Sequence, residues 1–270
     1  MVIDFHVHCF PDKLVDRAVS QLAEIAKLKN ASSGTAADLV AKMDEWNIDR
    51  AVVLNIATNP KQQTNVNDFA IHTNRVYGRR LTALGSIHPD SDQAVIKDEM
   101  RRLSDAGIVG LKLHPDYMHT VFDDEKFKPI LKLCCEYGMF VVIHAGFDVI
   151  SPNLIHATPE KILKVIREFP SLKLVAAHMG GNELWDAVER TLVGENVYFD
   201  TSLACVFGLD KRKAERMILN HDPEKILFGS DCPWCGGNAS CDYMNSLSLP
   251  SKIKEMILHK NAEKLIGIVK

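Results

Sequence analysis

The sequence lacks an apolar run long enough to cross a lipid bilayer, which requires about 20 residues. It also lacks an excess of basic residues, since 32 Lys and Arg stand against 35 Asp and Glu and give a formal net charge of −3. The chain therefore has neither the basic footprint of a nucleic-acid-binding protein nor an electrostatic reason to bind an anionic membrane. We expect no nucleic-acid partner and no membrane partner.

Two further absences concern location and organisation. Residues 1–6 contain no basic segment followed by an apolar stretch, so we expect no secretory signal. The cysteines number seven, and a chain of 270 residues can bury a core without disulfides, which predicts a reducing, cytoplasmic compartment. Low-complexity segments and convincing repeats are absent as well. We expect one domain over residues 1–270, since single α/β barrels routinely reach about 250 residues.

Eight short apolar runs rich in Val, Ile and Leu follow one another along the chain, and a segment of helical periodicity comes after each. The runs are residues 2–7, 51–57, 81–87, 108–113, 139–143, 172–177, 196–201 and 226–230. Nearly continuous apolar runs are typical of parallel strands that are buried on both faces. The pattern predicts the α/β class and a single (β/α)₈ TIM barrel. Residues 10–34 are a helical insertion after strand 1, where such barrels build active-site lids.

Histidines gather at the ends of the predicted strands. Five of the eleven lie there, at the ends of strands 1, 4, 5 and 6: His6, His8, His114, His144 and His178. Asp231 ends strand 8 in the same way. Because the carboxyl ends of the strands form the catalytic rim of a (β/α)₈ barrel, we expect these side chains to converge.

His6 and His8 are two residues apart, and side chains with this spacing on a strand share a face. Both imidazoles can therefore bind one cation. With His144 and Asp231 they would offer three nitrogens and one carboxylate oxygen, a set that suits Zn²⁺ best and also accommodates Mn²⁺, Fe²⁺ or Co²⁺. The alternative is that strand-end histidines only bond to loop carbonyls. The combination of a same-face pair with two further strand-end ligands favours the metal site.

Five motifs carry a resemblance to a known family: DFHVH at 4–8, GLKLHP at 110–115, VIHAG at 142–146, AHMGG at 177–181 and FGSDCPW at 228–234. The chain resembles the amidohydrolase superfamily, and most of all its amidohydrolase-2 branch, which is related to aminocarboxymuconate-semialdehyde decarboxylase. The resemblance implies a TIM barrel with one divalent metal held by His6, His8, His144 and Asp231. It also implies a catalytic or polarising role for His178. The chain is shorter than the decarboxylases of that branch usually are.

Two reactions fit these residues. In the favoured one, a metal-dependent hydrolase cleaves an amide, ester or lactone bond of a small, carboxylated organic molecule with metal-activated water. Asp231 would then accept a proton from the water and return it to the leaving group, while His178 polarises a carbonyl. The alternative is a metal-dependent, non-oxidative decarboxylase, in which the cation chelates the substrate and no water attacks. The ligand set is common to both.

Three further residues are candidates for contact with the substrate: Lys112, His114 and Trp234. Lys112 shares a strand face with His114 and could pair with a substrate charge or form a salt bridge within the barrel. The resemblance to binuclear members of the superfamily also implies a third alternative, a carboxylated lysine at a second metal. Asp4 has the strand parity of His6 and should point into the barrel, either to orient a ligand histidine or to bond to neighbouring strands.

Three cysteines near the C-terminal end of the barrel, Cys232, Cys235 and Cys241, include a Cys-x-x-Cys spacing. A structural zinc needs four ligands, so the local set is one short. Cys205 and Cys9 should lie on the same rim. Unpaired thiols and redox-sensitive thiols both remain open. A homodimer is expected only by analogy with relatives.

Overall fold

The computed structural model describes residues 1–268, which contain eight parallel β-strands. They are β1 (Ile3–Val7), β2 (Arg50–Leu54), β3 (Leu81–Leu84), β4 (Gly110–Leu113), β5 (Phe140–Ile143), β6 (Leu174–Ala176), β7 (Tyr198–Asp200) and β8 (Ile226–Leu227). Every predicted strand is present, and all but β2 lie wholly within the predicted run. The predicted runs are longer because apolar residues continue into the strand-end loops.

The strands pair in chain order as two sheets, β1-β2-β3 and β4 to β8. Between β3 and β4, where the two sheets meet, Gly85 and Leu111 form a parallel bridge, and the Lys112 amide donates to the Gly85 carbonyl at 2.8 Å. Between β1 and the segment that follows β8, where the sheets meet again, Val7 and Cys232 form a parallel bridge. Pairing therefore continues from strand to strand around an α/β barrel, and the predicted fold class is confirmed.

Eleven α-helices surround the strands in the part of the chain that the structure describes. They are α1 (Asp12–Ala26), α2 (Ala36–Trp46), α3 (Gln63–Tyr77), α4 (Gln93–Asp105), α5 (Lys128–Tyr137), α6 (Pro159–Glu168), α7 (Trp185–Thr191), α8 (Lys211–Asn220), α9 (Gly237–Ser246), α10 (Ser251–Glu255) and α11 (Asn261–Ile266). Short 3₁₀ helices lie at Pro60–Gln62, Glu125–Phe127 and Pro223–Lys225, and a π-helical turn at Met256–Lys260. None of the helices in residues 1–268 combines the length and hydropathy that crossing a bilayer requires.

Local chemistry explains several helix ends. The Thr35 side chain accepts a hydrogen bond from the Asp38 amide and caps α2, and Thr158 caps α6 through the Lys161 amide. Gly138, with φ of 68°, ends α5 in the left-handed conformation. The insertion after β1 is helical as predicted and forms α1.

The first strand has an irregular register that affects which side chains enter the barrel. The register with β2 shifts between Asp4 and Val7, a β-bulge type of irregularity. Phe5 packs in an inner cluster with residues of β2, β3, β5, β6 and β8, and His6 and His8 also face inward, onto the cavity. Asp4 instead bonds to the amide and hydroxyl of Ser230. The expectation that Asp4 points into the barrel is therefore wrong, because strict alternation fails at the bulge.

Candidate metal centre

The expected site residues surround one cavity of about 730 Å³ at the carboxyl ends of the strands. Its floor includes His6, His8 and Asp231. Part of its wall comes from α1, where Leu14 and Ile25 line the cavity although their side chains are 58% and 52% exposed. Large apolar side chains that remain exposed beside a polar floor indicate a wall that an apolar ligand can cover.

Three of the four predicted ligands converge on the floor. Nε2 of His8 lies 3.0 Å, and Nε2 of His6 3.4 Å, from Oδ1 of Asp231. The three side chains form one of the groups whose ligand atoms all lie within 4.8 Å of one another. Oδ1 of Asp231 is buried, yet it accepts no hydrogen bond within residues 1–268. Two imidazole nitrogens aimed at an unsatisfied carboxylate oxygen fit a divalent cation.

In His6 and in His8, the ring nitrogen that does not face Asp231, Nδ1, forms a hydrogen bond with a buried acceptor. Nδ1 of His8 lies 2.8 Å from the Leu54 carbonyl oxygen, and Nδ1 of His6 lies 2.8 Å from Oδ2 of Asp200. Because a carbonyl or carboxylate oxygen only accepts, Nδ1 carries the proton in both rings. Nε2 is left with its lone pair toward Asp231, which is the arrangement that orients histidines as metal ligands.

The electrostatics keep these groups in their metal-binding forms. Burial, reinforced by nearby Lys112, holds the pKa of His6 well below its usual value. Burial alone would raise the pKa of Asp231, but His6 and His8 outweigh it and hold that pKa below its usual range. A neutral His6 imidazole beside an ionised Asp231 carboxylate needs to release no proton when a cation binds.

The fourth predicted ligand, His144, has a different set of neighbours. Its ring stacks on His114 with centroids 4.3 Å apart, and its Nε2 lies 3.5 Å from Oδ2 of Asp148. His114, His144 and Asp148 form a second group of close ligand atoms. Nε2 of His144 is buried and forms no hydrogen bond with any described residue. The place of His144 in the metal site stays a prediction.

A hydrogen-bond relay nevertheless ties His144 to the first group. Ser202 donates its hydroxyl proton to Oδ1 of Asp200, so Nδ1 of His178, 2.8 Å from that hydroxyl, must donate to it. Burial and the neighbouring His144 lower the pKa of His178 to about 4, so its Nε2 is an acceptor at neutral pH. Nδ1 of His144 lies 3.1 Å from this Nε2 and therefore donates. The relay leaves the Nε2 lone pair of His144 free for a ligand.

Asp200 and Asp148 are the acidic residues that sequence reasoning missed. Asp200 ends β7 and bonds to His6, to Ser202 and to the backbone amide of His178. Its position at a strand end is a usable signal, but the predicted run 196–201 extends one residue past Asp200, which places that residue inside the strand and not at its end. Asp148 lies in the loop after β5, and only its spacing of four from His144 could have pointed to it.

All three predicted substrate-contacting residues, Lys112, His114 and Trp234, line the cavity. The Lys112 side chain is 1% exposed, and burial lowers its pKa to about 8. In the described part of the chain no carboxylate lies within 4 Å of its amine. The salt bridge considered for it is therefore not formed. Nδ1 of His114 is likewise buried without a hydrogen bond among residues 1–268.

The Cys-x-x-Cys segment does not gather its own sulfurs. Sγ of Cys232 lies 3.4 Å from the Ser32 hydroxyl, whereas Sγ of Cys235 lies 3.6 Å from Sγ of Cys205. Within residues 1–268, no group of three metal-ligating side chains contains a cysteine.

Comparison with known proteins agrees with this architecture. A family model described as amidohydrolase matches residues 3–268. Among curated proteins none matches the chain. Solved structures are similar over nearly the whole of both chains, and at identities of 20% or less the likeness establishes the fold.

An uncharacterised TIM-barrel protein from Bordetella bronchiseptica is 20% identical, with a TM-score of 0.77 and 98% of each chain covered. The 5-carboxyvanillate decarboxylase from Sphingomonas paucimobilis is 18% identical, with a TM-score of 0.69 and 99% of each chain covered. A dihydroxybenzoic acid decarboxylase from a Polaromonas species, solved with manganese and the inhibitor 2-nitroresorcinol, is 15% identical. Its TM-score is 0.71, with 99% of this chain and 97% of that chain covered.

Proposed function

The chain belongs to the amidohydrolase family, and from this premise we propose that it is a metal-dependent, non-oxidative decarboxylase of a hydroxylated aromatic carboxylic acid. The sequence alone favoured hydrolysis and kept decarboxylation as the alternative. The neighbours that act on 5-carboxyvanillate and dihydroxybenzoate support the alternative better. Hydrolysis of an ester, amide or lactone is the second candidate, because the same ligand set can activate water.

The observation that carries the proposal is the buried amine of Lys112, which has no carboxylate within 4 Å among residues 1–268 and lines a cavity with apolar walls. Asp200, Asp231 and Asp148 favour its charged form only from beyond contact distance, and burying a cation is costly, so a substrate carboxylate in contact would stabilise it further. Leu14, Ile25 and Trp234 offer apolar surface to an aromatic ring. Loss of neutral CO₂ leaves the negative charge on the ring carbon, and the substrate becomes less negative by one charge only when that carbon takes up a proton.

His6, His8 and Asp231 would hold the cation, with His144 as the fourth ligand. A divalent metal bound there supplies Lewis-acid stabilisation of negative charge on the substrate oxygens. Manganese is named for the Polaromonas neighbour, while a set of imidazole nitrogens and a carboxylate oxygen suits Zn²⁺ at least as well. Zn²⁺ therefore stays our prediction, with Mn²⁺ as the competing metal.

In decarboxylation the bond to the carboxyl carbon breaks, its electron pair stays on the ring carbon, and that carbon takes up a proton. This proton comes from solvent, and we assign its relay to Asp231 at the cavity floor, which is ionised and so must first take the proton up before passing it to the ring carbon. His178, fixed by Ser202 and His144, would orient the reacting group. Lys112 and His114 would hold the substrate's anionic oxygens, and Trp234 its ring. One small-molecule substrate fills the site; the homodimer stays a prediction.

The test is product analysis with protein loaded with Mn²⁺ or Zn²⁺ and a panel of hydroxybenzoates in D₂O. We expect CO₂ release and one deuterium at the carbon that carried the carboxyl group. Acid release from esters or lactones without CO₂ would instead establish hydrolysis. Lys112→Met should abolish turnover of the carboxylates, whereas Lys126→Met, at an exposed ion pair with Asp90, should leave it unchanged.

A further inference from the structure

Two cysteines from different loops meet on the rim beside the cavity. Cys205 follows β7 and Cys235 follows β8, and their sulfurs lie 3.6 Å apart. The hydroxyl of Ser240 lies 3.4 Å from the Cys235 sulfur and 3.9 Å from the Cys205 sulfur. Cys235 is buried, whereas Cys205 is partly exposed. A solvent-accessible thiol thus has a second thiol directly behind it.

The surroundings make Cys205 the most acidic of these thiols. Its hydrogen bond with Cys235, supported by Ser240 and by backbone amides, lowers its pKa to about 6. Burial raises the pKa of Cys232 and of Cys241 to about 12. A thiolate, unlike a thiol, is the reactive nucleophile. Cys205 therefore combines accessibility with the ionised form at neutral pH.

We propose that Cys205 and Cys235 are a peroxide-reactive pair that closes to a disulfide between the β7 and β8 loops. The Cys205 thiolate attacks hydrogen peroxide, the O–O bond breaks, and the leaving hydroxide takes up the proton that the Cys205 thiol had released, so that a sulfenic acid and water result. The Cys235 sulfur then displaces the sulfenic oxygen as a second water. In balance, two thiols and one peroxide give one disulfide and two water molecules.

The disulfide would act on the cavity wall. Leu203 and Phe207 flank Cys205 in sequence and line the cavity, and Trp234 precedes Cys235 and lines it as well. The sulfurs must approach from 3.6 Å to about 2.05 Å. Bond formation therefore draws two segments of the wall together and changes the surroundings of Trp234. The local alternative, a Cys232–Cys235 bond, is disfavoured because Cys232 faces Ser32.

The test treats the metal-loaded full chain with one equivalent of hydrogen peroxide, blocks remaining thiols and maps peptides without reduction. We expect a Cys205–Cys235 linkage, a loss of two free thiols and a change in tryptophan fluorescence that dithiothreitol reverses. Cys235→Ser should leave a sulfenic acid on Cys205 that dimedone traps. Cys205→Ser should remove the reaction, and the matched Cys241→Ser should oxidise like the unmodified chain.

A linkage through Cys232, or no thiol loss at one equivalent, would overturn the proposal. Should a serine variant fail to fold, the pH dependence of iodoacetamide alkylation at Cys205 in the unmodified chain decides. Half-maximal rate near pH 6 supports the pair, whereas a value near 8.5, the usual thiol pKa, contradicts it. None of these measurements depends on the proposed decarboxylation.

Discussion

Two groups of histidines lie on the cavity floor, and they differ in the hydrogen bonds that their Nδ1 atoms form. In the group of His6, His8 and Asp231, both Nδ1 atoms bond to buried oxygen acceptors at 2.8 Å. In the group of His114, His144 and Asp148, Nδ1 of His114 is buried without a hydrogen bond in the described chain, and Oδ2 of Asp116 is 3.8 Å away. In the first group, hydrogen bonds fix the ring proton of both histidines on Nδ1. In the second group, no hydrogen bond fixes the position of the ring proton of His114.

This difference distinguishes a preorganised metal site from a set of polar side chains that happen to be close. A metal ligand histidine must present a lone pair, and the partner of its other nitrogen determines whether it does. His144 is the test of the argument, because it stacks on His114 yet receives its tautomer from Asp200 through Ser202 and His178. Four substitutions measure how far the two groups differ.

Asp231→Asn should have the largest effect. It replaces the carboxylate on which both Nε2 atoms converge, and we expect Mn²⁺ and Zn²⁺ to bind more than about 100-fold more weakly, since partners of metal ligands alone are worth 10–100-fold. Metal content after dialysis and titration with a competing chelator measure the change. Circular dichroism should show an intact fold. Full metal occupancy in the purified variant would refute the ligand assignment.

His144→Ala should weaken metal binding by about 100-fold, at the upper end of that range, because it removes an imidazole whose Nε2 the relay leaves free. His114→Ala is the matched control, as it removes the other ring of the same stacked pair. Equal metal affinity in both variants would place His144 with the second group and leave three protein ligands.

The strand-end histidines could be predicted because burial of parallel strands leaves long apolar runs, and polar residues at their ends stand out. His6, His8, His114, His144 and His178 were found in this way, as was Asp231. Asp4 was misplaced because a one-residue bulge in β1 leaves no mark in the sequence pattern. The pairing of Cys205 with Cys235 depends on the distance between two loops, which spacing along the chain does not encode.

Asp200→Asn should lower metal affinity by about tenfold, the lower end expected for a residue that acts through a ligand. The amide oxygen can still accept from His6, but the charge is lost, and the amide NH₂ then replaces the oxygen that accepts from Ser202, so that bond is lost. A structural role alone would lower the melting temperature equally with and without metal. We expect a larger loss in the metal-loaded protein, measured by thermal unfolding in the presence of Mn²⁺ and of a chelator.

Asp148→Asn should have the smallest effect on the metal, less than about fivefold or 1 kcal/mol. Asp148 lies 3.4 Å from His114 and 3.5 Å from His144, but the predicted ligand His144 has its tautomer set by His178 and not by Asp148. Asp148 also lines the cavity as a carboxylate, so its loss should remove a repulsive charge and strengthen the binding of an anionic substrate analogue. Calorimetric titration with Mn²⁺ separates the cases. A loss of metal affinity as large as that of Asp231→Asn would show that the second group binds the cation itself. Asp148 forms no hydrogen bond to Nδ1 of a predicted ligand, so an indirect effect through such a bond would not explain that loss.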